Sequence, residues 1–134
     1  MIRKLVLISV AALATFTLVA GAHDMSKMKM KTTTATLTGE IVDTGCYLGD
    51  GARGEKHIDC ATKCIANGMP MALLTNKGKL YLLTLDHDNP DPYNKLKEMA
   101  GKTVAVTGTV MERSGMRGID VTEFKSVDAV PAGK

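Results

Sequence analysis

Three cysteines and one histidine fall within one short stretch of the chain: Cys46, His57, Cys60 and Cys64. The spacing is C-x13-C followed by C-x3-C, with His57 three residues before the second cysteine. Thiolate and imidazole are the donors that tetrahedral Zn²⁺ takes, and soft thiolates also select Cu(I). On a helix, Cys60 and Cys64 share one face. His57 could fold over the start of that helix, and Cys46 would join if the glycine-rich segment between them doubles back. The set would then be three sulfurs and one imidazole, although C-x3-C is not the C-x2-C of a zinc knuckle.

A disulfide is the alternative. Three thiols cannot all pair within one molecule, so at least one is free, joined to another molecule or bound to something. Within one helical turn the β-carbons of Cys60 and Cys64 stand ~5–6 Å apart, against the ~3.8 Å a disulfide needs. A bridge therefore runs from Cys46 to Cys60 or to Cys64, closing a loop and contributing roughly 3 kcal/mol in the chain-entropy model. A third option is thiol redox chemistry, which lacks the C-x-x-C pair of thioredoxin-like proteins. A cysteine nucleophile with His57 as base is conceivable from residue types alone. No G-x-S-x-G elbow, phosphate-cradling glycine loop or H-E-x-x-H helix is present, so the chain is read as a non-enzyme.

The first residues bear on the compartment. Arg3 and Lys4 precede an apolar run from Leu5 to Val19, and Ala20-Gly21-Ala22 supplies the small residues of an A-x-A cleavage site. This pattern is a signal peptide cleaved after Ala22, too short to be a spanning helix of ~20 residues. The mature chain is then periplasmic or secreted, where disulfides persist, and has no membrane anchor. Cleavage lowers the 17 basic residues by two to 15, against 14 acidic ones, a net charge of about +1. That balance gives no basic face for nucleic acid. With three Tyr, two Phe and no Trp, the chain also lacks a stacking platform. The new N-terminus would be His23, whose amine and imidazole can chelate copper, with Met25, Met28 and Met30 as soft thioethers nearby. These four are weaker candidates, because HDMSKMKMK also reads as a solvated tail. Asp86-His87-Asp88 is read as a turn.

The elements that must position the cysteines follow from pattern. Thr32 to Asp43 is rich in β-branched residues and predicts a strand, with Gly39 marking a bulge or bend. Cys46 to Glu55 (CYLGDGARGE) predicts a loop. Asp59 predicts an N-cap for a helix from Cys60 to Asn67, with Gly68 and Pro70 ending it. Met71 to Thr75 and Lys79 to Leu85 predict a hairpin around Asn76-Lys77-Gly78. Pro92 predicts the first turn of a short helix running to about Ala100, and Gly101 stops it. Thr103 to Met111 and Met116 to Val127 predict two further strands joined at Arg113-Ser114-Gly115. The fold class is therefore mainly β with two short helices: a five-stranded OB-like barrel carrying an extra helix between strands 1 and 2. The domain division is signal peptide 1–22, Met/Lys-rich tail 23–34, OB-like domain 35–128 and C-terminal tail 129–134.

Several segments together carry a resemblance: Gly39-Glu40-Ile41-Val42-Asp43 with Cys46, then Cys60-Ala61-Thr62-Lys63-Cys64, Gly68-Met69-Pro70, Gly78-Lys79-Leu80-Tyr81-Leu82, and Gly101 to Gly108 (GKTVAVTG). The chain resembles small secreted bacterial proteins of uncharacterised function with an OB-like domain. The D-x2-C and C-x3-C pieces are the most specific part. The resemblance implies the barrel and the cysteine cluster and no activity. The leading reading is an exported binding protein whose ligand is a copper or zinc ion. Cys46, Cys60 and Cys64 supply thiolates and His57 the imidazole. The alternative is a disulfide-stabilised OB-like module binding an envelope protein, a glycan or a nucleic acid, or a thiol redox protein.

Overall fold

Thr33–Asp43 forms strand β1, and its sequence explains how one strand serves two neighbours. The computed structural model describes residues 32–127. The expected signal peptide 1–22, most of the 23–34 tail and the C-terminal tail 129–134 lie outside the described residues. β1 pairs antiparallel with β4 (Thr103–Arg113) along Thr33 to Glu40, and with β2 (Met71–Thr75) along Gly39 to Asp43. The two ladders overlap at Gly39 and Glu40, where the strand bends from one partner to the other. A β-carbon at Gly39 would press into the backbone of Leu74 and Thr75, so the bend requires glycine.

β2 continues into β3 (Leu80–Leu85) through a hairpin. Gly78 adopts φ +72°, and the Gly78 N–H donates to Thr75 O at 2.9 Å. β3 pairs in parallel with β5 (Met116–Ser126), which pairs antiparallel with β4. The order β1-β2-β3-β5-β4 closes into a barrel. This is the expected OB-like architecture, and closure leaves no unpaired strand edge. The β4–β5 turn takes Ser114 and Gly115 through φ 52° and 81°, as a two-residue hairpin turn demands.

Alternation within the strands sorts the core. Ile41, Leu73, Leu83, Val104, Val106, Ile119 and Val121 point into the barrel and are buried. Helices add to this core. α2 (Ile58–Ala66) contributes Ala61 and Ile65, four residues apart on one face, and α3 (Asp91–Leu96) contributes Leu96. β2 is buried on both faces, because Ala72 and Leu74 form a second cluster with Val42 on the barrel's outside.

That second cluster accounts for a correction. The segment from Cys46 to Glu55 was expected to be loop, yet Thr44–Asp50 is a helix, α1, followed by a 3-10 turn at Glu55–His57. Tyr47 on α1 packs against the outer cluster, and tertiary packing overrides the helix cost of Gly45 and Gly49. The described residues therefore hold three short α-helices rather than two. α2 also begins earlier than expected. His57, not Asp59, occupies the N-cap position, and Asp59 lies in the first turn. The C-terminal end is as expected: Gly68 has φ +98°, its N–H donates to Ile65 O at 3.0 Å, and Met69 N–H donates to Cys64 O at 2.9 Å. This is a Schellman end.

Candidate metal centre

β1 ends on a buried aspartate. Asp43 is 0% exposed, the only charged side chain buried to that degree among the described residues. Its position follows from the pairing of Asp43 with Met71, which carries the strand to the mouth of the barrel. There Asp43 becomes the N-cap of α1, and its Oδ1 accepts the Cys46 N–H at 2.8 Å. Its Oδ2 lies 3.1 Å from His57 Nε2. No buried side-chain nitrogen or oxygen among the described residues lacks a partner.

The chain doubles back as the sequence requires for convergence. The Thr44 N–H donates to Pro70 O at 3.0 Å, which clamps the start of α1 to the segment leaving α2. Met69 lies over Gly45 so closely that a β-carbon there would meet its Sδ at 2.9 Å. Together these contacts set Cys46 against the face of α2 that carries Cys60 and Cys64. A ligand atom from each of Cys46, His57 and Cys60 lies within 4.8 Å of the others, and the same holds for Asp43, Cys46 and Cys64. Cys46 belongs to both sets. Tetrahedral Zn–S bonds of ~2.3 Å place sulfurs ~3.8 Å apart, so a modest contraction of either set makes a coordination shell. This Cys/His/Asp group can hold a metal ion. The three cysteines are free thiols: Cys60 exposed, Cys46 and Cys64 half-buried.

Electrostatics couple the group. The hydrogen bond from the Cys46 thiol to the Asp43 carboxylate, burial, and the Asp43 charge push the Cys46 thiol up to about 12, with contacts to Cys64 and Cys60 adding to it. Burial also pushes the Cys64 thiol up. Burial pushes the Asp43 carboxyl up as well, but the Cys46 N–H, the Cys46 thiol and His57 outweigh it and hold the group below the usual carboxylate value. When Nε2–H donates to Asp43, His57 keeps the Nδ1 lone pair, and a carboxylate behind a ligand histidine fixes its tautomer and ring orientation.

The four main sequence candidates fall in two sets that share Cys46: His57 and Cys60 join it in one, Cys64 joins it with Asp43 in the other. Asp43 was missed as a member of the site, although the D-x2-C spacing, which makes it a cap for Cys46, was the available signal. His23, Met25, Met28 and Met30 lie outside the described residues. Asp86-His87-Asp88 is a bend, exposed at His87 and Asp88, in which the Asp88 N–H donates to Asp86 Oδ1 at 2.9 Å, an Asx-type turn. No family model matches the chain, and no curated protein or solved structure matches it.

Proposed function

We propose that this is an exported, non-enzymatic protein that binds a soft transition metal, zinc or copper, through Cys46, Cys60, Cys64 and His57. The observation that carries the reading is the position of Cys46, whose thiol is shared by two overlapping ligand sets drawn from three separate segments. Asp43 orients His57 and accepts a hydrogen bond from the Cys46 thiol, which therefore gives up its proton less readily than a free thiol. Metal uptake must displace thiol protons, so affinity rises with pH. Export rests on the Arg3-Lys4, Leu5 to Val19 and Ala20-Gly21-Ala22 pattern, and an envelope location exposes the site to exogenous metal and to oxidants.

A second reading is favoured by the same position of Cys46, which faces both other thiols: a single disulfide from Cys46 to Cys60 or Cys64. Native mass spectrometry of the mature protein, purified from the envelope without chelator or reductant, separates the two. The expected result is a metal adduct with all three cysteines reduced, lost in Cys60→Ser and weakened in His57→Ala. A metal-free mass showing one disulfide would replace the metal reading with the structural bridge.

A further inference from the structure

Two of the most exposed large apolar side chains among the described residues, Leu48 at 71% and Met116 at 65%, stand on opposite sides of one groove. Leu48 belongs to α1 and Met116 to the start of β5. Between them the outer face of β3 supplies the floor, where Leu80 and Leu82 point away from the barrel core. The groove has a volume of about 610 Å³. It runs on past Leu82 and Met116 into a second hollow of about 460 Å³ floored by Gly118. Leu48, Met116 and the two leucines between them make one continuous apolar surface around a concavity, and apolar surface of that shape is where partners bind.

Charge narrows the occupant. Lys79 and Arg117 line the first hollow, and Arg113 joins Arg117 in the second. No acidic side chain lines either. Arg117 is partly neutralised by Glu112 at 3.3 Å, while Lys79 and Arg113 make no ion pair among the described residues. Asp120, on the same face of β5 as Gly118, accepts from Thr84 Oγ1 at 3.1 Å and does not line the groove. No aromatic ring lines it, so a base or a sugar finds nothing to stack on. The surface is aliphatic and Met-bearing with a cationic rim, which suits an extended chain whose alternate side chains are apolar and acidic.

We infer that this groove binds an extended acidic peptide segment of a partner protein, with its apolar side chains over Leu80, Leu82 and Gly118 and its carboxylates toward Lys79, Arg113 and Arg117. Electrostatic complementarity of this kind sets partner choice and on-rate. None of the residues that line the groove is a ligand of the thiol cluster.

Gly118 offers a clean test. A β-carbon there would make only ordinary contacts, 3.5 Å to Leu82 O and 3.9 Å to Met111 Cε, so the backbone accepts a side chain and Gly118→Leu places one in the groove. ¹⁵N-labelled mature protein is titrated with a short peptide alternating leucine and glutamate, and with its leucine–lysine counterpart. The expected result is saturable shifts at Lys79, Leu82, Met116 and Arg117 with the glutamate peptide. They are abolished by Gly118→Leu and weakened about tenfold or more by Lys79→Glu with Arg113→Glu, each variant keeping a dispersed spectrum. Should Gly118→Leu fail to fold, the charge-reversed variant carries the test. Equal binding of the lysine peptide, shifts confined to other surfaces, or stronger groove shifts with oligothymidylate or oleate would overturn the inference.

Discussion

Replacing Asp43 by Asn should cost the metal-free protein about 2 kcal/mol at neutral pH. Asn keeps an acceptor for the Cys46 N–H, so the cap of α1 survives. The charge goes, and with it the charge-assisted bond from His57 Nε2 at 3.1 Å and the bond from the Cys46 thiol. Hydrogen bonds to a charged group contribute about 1.5–3 kcal/mol and neutral ones about 1 kcal/mol, so the difference between wild type and Asn is of that order. In a domain of this size each kcal/mol shifts Tm by roughly 4–8 °C, so the midpoint should fall by roughly 8–16 °C. Asp43→Ala should lose about 1 kcal/mol more, because the cap goes too. The pH dependence follows from the lowered carboxyl. Asp43 ionises more easily folded than at its ordinary value of 3.8. Its contribution is therefore complete above that value and disappears as pH falls through the folded one. Urea unfolding of wild type and Asp43→Asn, in chelator and reductant, should show a constant gap above about pH 5 that closes on further acidification. An Asn variant as stable as wild type at pH 7, or a gap unchanged to about pH 3, refutes the assignment of the stabilisation to the ionised carboxylate.

Three further outcomes are expected. Iodoacetamide at neutral pH, read by peptide mass mapping, should label exposed Cys60 first and Cys46 last, because the Cys46 thiol is held near 12. Gly39→Ala should cost about 1–3 kcal/mol in urea unfolding, since its β-carbon meets backbone atoms of Leu74 and Thr75 that cannot yield separately from the β1–β2 ladder. If the thiol cluster holds metal, saturating it at about 100 times its Kd should add about 2.7 kcal/mol to stability, removed by chelator and absent in Cys46→Ser when metal is titrated against thermal unfolding.

The barrel was legible because its strands carry their own punctuation. Gly39, Gly78 and Gly101 mark the bend, the hairpin and the helix stop, and the alternation in Thr103 to Met111 needs no tertiary information. α1 was not legible. Gly45 and Gly49 argue against a helix locally, and what rescues it is Tyr47 lying on Val42, Ala72 and Leu74, a cluster that exists only once β1 and β2 have paired. Asp43 was hidden for the same reason. In the sequence it is an acid at the end of a strand, and only strand pairing and the return of α2 bury it between Cys46 and His57. The start of α2 shifted from Cys60 to Ile58 because the preceding 3-10 turn leads straight into it, leaving Asp59 inside the helix.

α1 is seven residues long and buries none of its side chains fully. Helices of that length do not persist alone in water, and this one is held by its caps at Asp43 and Gly51, the Thr44–Pro70 contact, Met69 over Gly45 and the partial packing of Tyr47. Its opening free energy should therefore sit far below that of the β4–β5 ladder, making it a separate unit of local unfolding whose amides exchange with solvent long before the barrel's. Cys46 and Leu48 both ride on that unit. Each opening frees the most strongly protonated thiol of the cluster and removes one wall of the apolar groove together, so a ligand that holds α1 closed at either end slows exchange along its whole length.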